Sequence, residues 1–260
     1  MDTGVDGALL RDGGQRLGLD GPVVTITLDR PETRNSQTPA TWDALRNIGE
    51  SIGADVRVVV VRGSGDTFSS GLDRRMLAPG AAPSLFDLLQ LDDEELAARI
   101  GAWQDGFAWL RRPGIVSVAA VRGAAVGAGF QLALACDLRV LSDEARLCMR
   151  EPELGLVPDL TGTKPLVECV GYSRALEICA TTRWVPAEEA RDIGLATAVV
   201  PSEELDDAVA DLVAALLSPV HAAVGETKAL LQSAGRLDLA DQRLAERTAQ
   251  VRRFRDLSRS

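Results

Sequence analysis

A mixed α/β fold followed by a helical C-terminal region is the architecture that this 260-residue sequence predicts. Three observations carry it. Short β-branched apolar runs alternate with segments of helical periodicity, the pattern of βαβ units joined by right-handed crossovers. Several of those runs are continuously apolar, as strands buried on both faces of a parallel sheet require. Beyond about residue 160 the strand runs give way to helical patterns, with no internal repeat and no low-complexity tract.

The elements follow in order. "GPVVTITLDRP" is β-branched and bounded by Gly and Pro, which predicts a strand over 23–29. In "TPATWDALRNIGESIGA", Thr38 is placed as N-cap and Pro39 at the first helical position, with Trp42, Leu45 and Ile48 at helical spacing. "DVRVVVVRG" reads as a strand buried on both faces. Segment 79–93, rich in Pro, Ala and Asp, reads as an irregular insertion before a helix that runs to about Arg112. Trp103, Phe107 and Leu110 form its core face. "GIVSVAAVRG" is the next strand, "GAGFQLALAC" the next helix, and "DLRVLS" and "ARLCM" two further strands. Helices over 202–217, 220–233 and 239–256 close the chain, and their apolar faces need cover from their own core or from a neighbouring subunit. The division expected is a core over 1–200 and a helical, oligomer-forming region over 201–260.

Composition narrows the function classes. With 46% hydrophobic and 25% charged residues the chain has a soluble globular composition, and 4% aromatics leaves the core to Ala, Val, Leu and Ile. A net charge of −10 opposes nonspecific binding to nucleic acid or anionic membranes, which need basic surfaces. It still allows an anionic small ligand held by helix ends and a few arginines. The opening "MDTGVDGALLRDGG" has no long apolar run and is no secretory signal. The most apolar region, 113–136, is interrupted by Arg122 and Gln131, so no membrane span is expected. Cys136, Cys148, Cys169 and Cys179 form no C-x-x-C pair and read as buried thiols of a cytoplasmic protein. The sole histidine, His221, reads as a surface residue at a helix start, which removes both a Cys/His zinc site and a Ser-His-Asp triad. No metal is expected.

"VRGAAVGAGFQLALACDL", residues 121–138, puts small residues where a strand hands over to a helix. A dinucleotide fingerprint needs Gly or Ala where Leu132 stands, and a phosphate loop needs a following G-K-[ST]. Close helix–strand packing explains Ala124, Ala125 and Ala133. It does not explain a second glycine turn, "GDTFSSGLDRRML" at 65–77, where Gly71 precedes a short helical run and Asp73 favours its N-terminus. Two such turns can aim backbone N–H groups at one point, an oxyanion hole for a carbonyl oxygen.

"FSSGLDRRML", "VRGAAVGAGFQLALACDLRV" and "EPELGLVPDLTGT" resemble the three signature stretches of the enoyl-CoA hydratase/isomerase (crotonase) family. "DRPETRN" at 29–35 resembles that family's early coenzyme A loop, and "PAEEARDIGLATAVVP" its later helix and strand. The match runs in order over roughly residues 20–201. The resemblance implies a crotonase-like spiral of ββα units with a C-terminal helical region, a CoA thioester as substrate partner, and a homotrimer or dimer of trimers. It implies an oxyanion hole from the backbone N–H groups of Leu72 and Ala128, and substrate contacts at Arg34, Ser70, Gly71, Asp73 and Gly127. Coenzyme A would arrive as part of the substrate, so no separate cofactor is expected.

Family hydratases usually use two glutamates. The first position is Gln131 here; the second is Glu151, the principal acid/base candidate. Gln cannot take a proton at neutral pH, though it can orient water through its amide. Asp159 follows Glu151 by eight residues, where the dienoyl-CoA isomerases that the stretch resembles carry an aspartate. It reads equally as a cap for a helix beginning near Thr161. One base moving a proton across an allylic system suits double-bond isomerisation, so Gln131 shifts the expectation slightly from hydration toward isomerisation. The alternatives are an enoyl-CoA hydratase proper and a non-catalytic CoA-binding homologue.

Overall fold

In the computed structural model, which describes residues 4–78 and 84–258, six strands form the main sheet. Their order is β1 (Gln15–Asp20), β2 (Val23–Leu28), β3 (Val58–Gly63), β4 (Val116–Val121), β6 (Leu138–Ser142) and β9 (Ala198–Val200). β1 is antiparallel to β2, and every other pair in this sheet is parallel. A second, three-stranded sheet joins β5 (Ala124–Val126), β7 (Arg146–Cys148) and β8 (Val185–Pro186). Successive turns of the chain give one strand to each sheet: β4 then β5, β6 then β7, β8 then β9. This is a spiral of paired strands. Isolated bridges from Ser69 to Ala125 and from Gln37 to Leu72 carry the same pattern one turn further toward the N-terminus.

The valine run of β3 shows why its sequence is continuously apolar. Val59 and Val61 enter the main core with Val24, Ile26, Phe107 and Phe130. Val58 and Val60 face the other way, onto a second core with Val118, Val140, Leu205 and Val209. That second face is covered by α8 (Leu205–Leu217), so the C-terminal region is packed onto the sheet. Burying a Val or Leu side chain contributes about 1.5–3 kcal/mol, and each valine of β3 has a face to bury against.

α2 (Pro39–Ser51) starts as its sequence predicts, with Pro39 at its first position and the Thr41 hydroxyl accepting from Thr38 N–H at 3.1 Å. α3 (Asp93–Ala108) opens on a capping box: Asp92 accepts from Glu95 N–H at 2.8 Å, and Glu95 accepts from Asp92 N–H at 3.2 Å. The two helices meet through Trp42 and Trp103, whose rings are 5.0 Å apart and edge-on. Five of the residues in 79–93, 79–83, lie outside the described part; Leu85–Gln90 form a 3-10 helix.

Four elements were not expected. A short helix α1 (Gly7–Asp12) and strand β1 precede the first predicted strand, and β5 and β8 are only three and two residues long. α4 (Ala128–Ala135) is the helix expected after the glycines. α5 (Thr163–Val170), α6 (Tyr172–Thr181) and α7 (Ala187–Asp192) lead to β9.

α9 (His221–Ala234) and α10 (Leu239–Leu257) close the chain with Leu231, Leu239, Phe254 and Leu257 exposed. Lys228 fastens α9 to the core, its Nζ donating to Asp137 Oδ2 at 2.7 Å and to the carbonyls of Arg112 and Ile115. His221 sits at the start of α9 and shares a 2.8 Å contact with the Gly114 carbonyl. The four cysteines are free, with Cys136 and Cys148 buried and Cys169 and Cys179 half-buried. Among the described residues no single helix is long and apolar enough to cross a membrane.

Candidate active site

The two glycine turns meet at a cavity of about 630 Å³. Gly71 has φ +80°, and a Cβ there would stand 2.3 Å from the Val126 carbonyl oxygen and 3.4 Å from the Ala128 nitrogen. Gly127, the N-cap of α4, has φ 51° and ψ −121°, a conformation open in practice to glycine alone. The turns are therefore in backbone contact, and only hydrogen fits between them.

Their N–H groups are divided between structure and cavity. Gly127 N–H donates to the Cys148 carbonyl at 2.8 Å. The Leu72–Gln37 bridge uses the groups on either side of Leu72: Gln37 N–H donates to the Gly71 carbonyl and Asp73 N–H to the Gln37 carbonyl. The N–H groups of Leu72 and Ala128 find no acceptor among the described residues. Both residues line the cavity, and Ala128 is the first residue of an eight-residue helix, where the backbone dipole favours negative charge.

Glu151 stands opposite. It begins a 3-10 turn (Glu151–Leu154) and is only 8% exposed, so it is no surface carboxylate at a strand end. Its carboxylate lies against the second glycine turn, since a Cβ on Gly127 would be 3.2 Å from Oε1. Oε1 accepts from Gln131 Nε2 at 2.6 Å, while Oε2 is buried with no partner. Burial pushes the Glu151 pKa up, against hydrogen bonds from its own backbone and from Gln131, and the Asp159 charge pushes the same way as burial.

Gln131 is not free to orient water through its amide oxygen. That oxygen accepts from Leu160 N–H at 2.8 Å and from Gly162 N–H at 3.3 Å. Asp159 is not a helix cap either: α5 begins at Thr163 with Gly162 as N-cap. Asp159 lines the cavity, and burial raises its pKa as well.

Of the expected substrate contacts, Arg34, Ser70, Gly71 and Gly127 line the cavity. Asp73 does not. Its carboxylate is held by Arg75 at 2.6 Å, Arg30 at 3.4 Å and the Ser36 hydroxyl at 3.2 Å, and it caps a short 3-10 helix by accepting from Arg75 N–H. The Arg75 guanidinium above all holds its pKa down, to about 2. A depressed carboxyl stabilises the fold above its ordinary pKa and loses that contribution as pH falls through the folded value. Asp73→Asn is therefore expected to cost about 2 kcal/mol of stability at neutral pH, a difference that vanishes near pH 2. Denaturant titrations of both proteins across that range measure it. The raised carboxyls of Glu151 and Asp159 work in the opposite sense: each binds its proton more tightly folded than unfolded, so each favours the fold as pH drops from neutral.

Sequence reasoning missed three further cavity residues, Arg146, Arg150 and Trp184. The guanidinium carbons of Arg146 and Arg150 lie 4.4 Å and 5.5 Å from the Trp184 ring centroid. Arginine next to β7 and one isolated tryptophan 34 residues after Arg150 left no pattern to read. Trp103, expected only in the core, is buried there and lines the cavity too.

A family model described as enoyl-CoA hydratase/isomerase matches residues 19–259. A crystal structure of a Thermobifida fusca YX protein, assigned as an enoyl-CoA hydratase and in complex with acetoacetyl-CoA, is 52% identical with a TM-score of 0.93. That match covers 97% of this chain and 99% of the other. A peroxisomal Delta(3,5)-Delta(2,4)-dienoyl-CoA isomerase of Arabidopsis thaliana is 30% identical over 222 residues, 83% of this chain and 79% of that protein. A Mycobacterium leprae protein assigned as an enoyl-CoA hydratase is 31% identical over 199 residues, 76% of this chain and 70% of its own length.

Proposed function

The chain belongs to the enoyl-CoA hydratase/isomerase family and has its crotonase fold, and from that premise we propose that it shifts a double bond in an enoyl-CoA thioester. The observation that carries the proposal is the convergence on one cavity of two unpartnered backbone N–H groups, at Leu72 and Ala128, and a buried Glu151 with one free oxygen. The thioester oxygen accepts from both N–H groups. Glu151 Oε2 removes a proton from the carbon between thioester and double bond: the C–H bond breaks, an O–H bond forms, and the electron pair delocalises onto the thioester oxygen. Returning the proton to the far end of the allylic system regenerates the carboxylate and leaves the double bond moved. No atom is gained or lost, and no cofactor beyond the CoA carried by the substrate takes part.

Losing one donor of such a pair costs on the order of 3 kcal/mol of barrier. Asp159, on the same cavity wall, supplies a second carboxyl for proton transfer further along the acyl chain. Arg34, at the rim, meets the anionic CoA; Arg34→Ala is expected to raise KM by up to about fivefold and leave kcat unchanged, the scale of an exposed ion pair.

Isomerisation is favoured over hydration by the state of Gln131, which has neither a base nor a free acceptor to hold an attacking water. Incubating crotonyl-CoA and a 3-enoyl-CoA separately tests this. A shift of the double bond in the second, faster than water addition to the first, is expected; brisk hydration with no shift would overturn it. The base must be ionised to act, so kcat for the 3-enoyl-CoA is expected to rise with pH along a limb displaced above the ordinary glutamate range, because burial raises the Glu151 pKa.

A further inference from the structure

We propose that Gln131 is a positioning residue that locks Glu151 in one orientation, reserves its Oε2 for the substrate, and ties it to the turn that carries Asp159. The inference rests on Glu151 being the proton carrier. Gln131 is fully buried in α4, and each end of its amide is committed. The oxygen takes two backbone N–H groups, from Leu160 and Gly162; the nitrogen gives a 2.6 Å hydrogen bond to Glu151 Oε1. Turned over, the amide would set its N–H groups against two N–H donors and its oxygen against a carboxylate. The network admits one orientation.

The cradle for that oxygen is built at a conformational cost. Thr161, between the two donors, has φ 69°, which a β-branched residue rarely adopts. Gly162 is packed so closely that a Cβ there would stand 2.7 Å from Gln131 Cγ. The turn therefore wraps the Gln131 side chain. Asp159 precedes Leu160, and its carbonyl is held from the other side by Gln104 Nε2 at 2.7 Å. One amide thus fixes the separation of Glu151 from the segment bearing Asp159.

A glutamate at 131 would keep the acceptor for Leu160 and Gly162 but not the donor to Glu151. Two carboxyls at this distance share one proton, which drives their two titration steps apart; the oxygen at 131, cradled by two N–H groups, ionises first, and Glu151 holds the last proton to higher pH. Gln131 avoids this: it donates to Glu151 whether or not Glu151 carries a proton. The clamp keeps Glu151 from sharing its proton with residue 131.

Two variants separate the parts, Gln131→Glu, which retains the cradled oxygen, and Gln131→Met, which has similar length and neither donor nor acceptor. The Glu151 titration is read by infrared difference spectra of the carboxyl stretch, with Glu151→Gln identifying the band. The pH profile of kcat is read with a 3-enoyl-CoA. Both variants are expected to titrate Glu151, and to place the acid limb of kcat, at higher pH than the wild type. Loss of a hydrogen bond to a charged group predicts a fall in kcat at neutral pH of about tenfold to a hundredfold, with KM within about threefold of wild type. A Glu151 band and a kcat limb unmoved in Gln131→Glu would overturn the clamp, even if the rate had dropped through a looser core. Should the wild type prove inert toward every thioester, the functional reading falls while the infrared titration still decides the role of Gln131.

Discussion

Replacing Glu151 by glutamine is expected to lower enoyl-CoA turnover by on the order of a hundredfold to ten-thousandfold, the usual contribution of a positioned general base. Thioester binding is expected to survive, because the two N–H groups that would hold the carbonyl belong to the backbone of Leu72 and Ala128 and do not depend on Glu151. Stability is expected to hold or rise. Oε2 of the wild-type carboxylate is buried without a partner, and keeping a charge there is costly. The amide introduced by Glu151→Gln can still turn its oxygen toward Gln131 Nε2 and so keep the 2.6 Å contact. The three measurements are kcat with a 3-enoyl-CoA, calorimetric binding of a non-reacting acyl-CoA, and the thermal midpoint. A variant that turns over at the wild-type rate would remove Glu151 from the chemistry. A wild type that binds CoA and transforms no thioester would instead fit a CoA-binding protein without catalytic activity.

Gly71→Ala is expected to have the next largest effect. Its Cβ would meet the Val126 carbonyl oxygen at 2.3 Å, against backbone that cannot rotate away, so the two glycine turns must separate. Separation moves Leu72 N–H relative to Ala128 N–H, and loss of one donor from the pair corresponds to about a hundredfold in kcat. The fold also bears the strain of a non-glycine residue at φ +80°, on the order of 1–2 kcal/mol. Gly171→Ala separates the two costs. Gly171 has φ 77° and ψ 162° with open space around a Cβ, between α5 and α6, so Gly171→Ala should lose on the order of 1–3 kcal/mol of stability with kcat intact. Equal kinetic losses in the two variants would mean that strain, not the distance between turns, governs the rate.

Much of the spiral was legible because its strands announce themselves. The valine run of β3 is apolar on consecutive positions, and the structure gives each parity its own core. β1 was missed though Leu17 and Leu19 alternate with polar neighbours before a tight Asp20-Gly21 turn; Gly18 in its middle and charge on its outer face weaken the strand pattern. β5 and β8 are too short to show periodicity and form through partners some distance away in the chain.

The site was legible by type and not by environment. Gly71 and Gly127 stood out by residue and spacing, and Glu151 through the resemblance of its stretch to the family's second glutamate position. That Glu151 is buried, and that Gln131 is held at both ends, depends on contacts spanning 20 to 31 residues which no local pattern encodes. Asp73 was misplaced for a related reason. Beside a glycine turn it reads as part of the site, yet Arg30 and Ser36, from the preceding turn of the spiral, draw it into an ion-pair network instead.

Enolate chemistry itself can be observed apart from any net reaction. A 3-enoyl-CoA incubated with the protein in deuterium oxide is expected to shift its double bond or to take up deuterium at the carbon next to the thioester. Glu151→Gln is expected to do either at least about a hundredfold more slowly. If the wild-type protein binds this thioester and returns it unshifted and unlabelled, Glu151 does not act as its base and the two N–H groups do not serve an enolate.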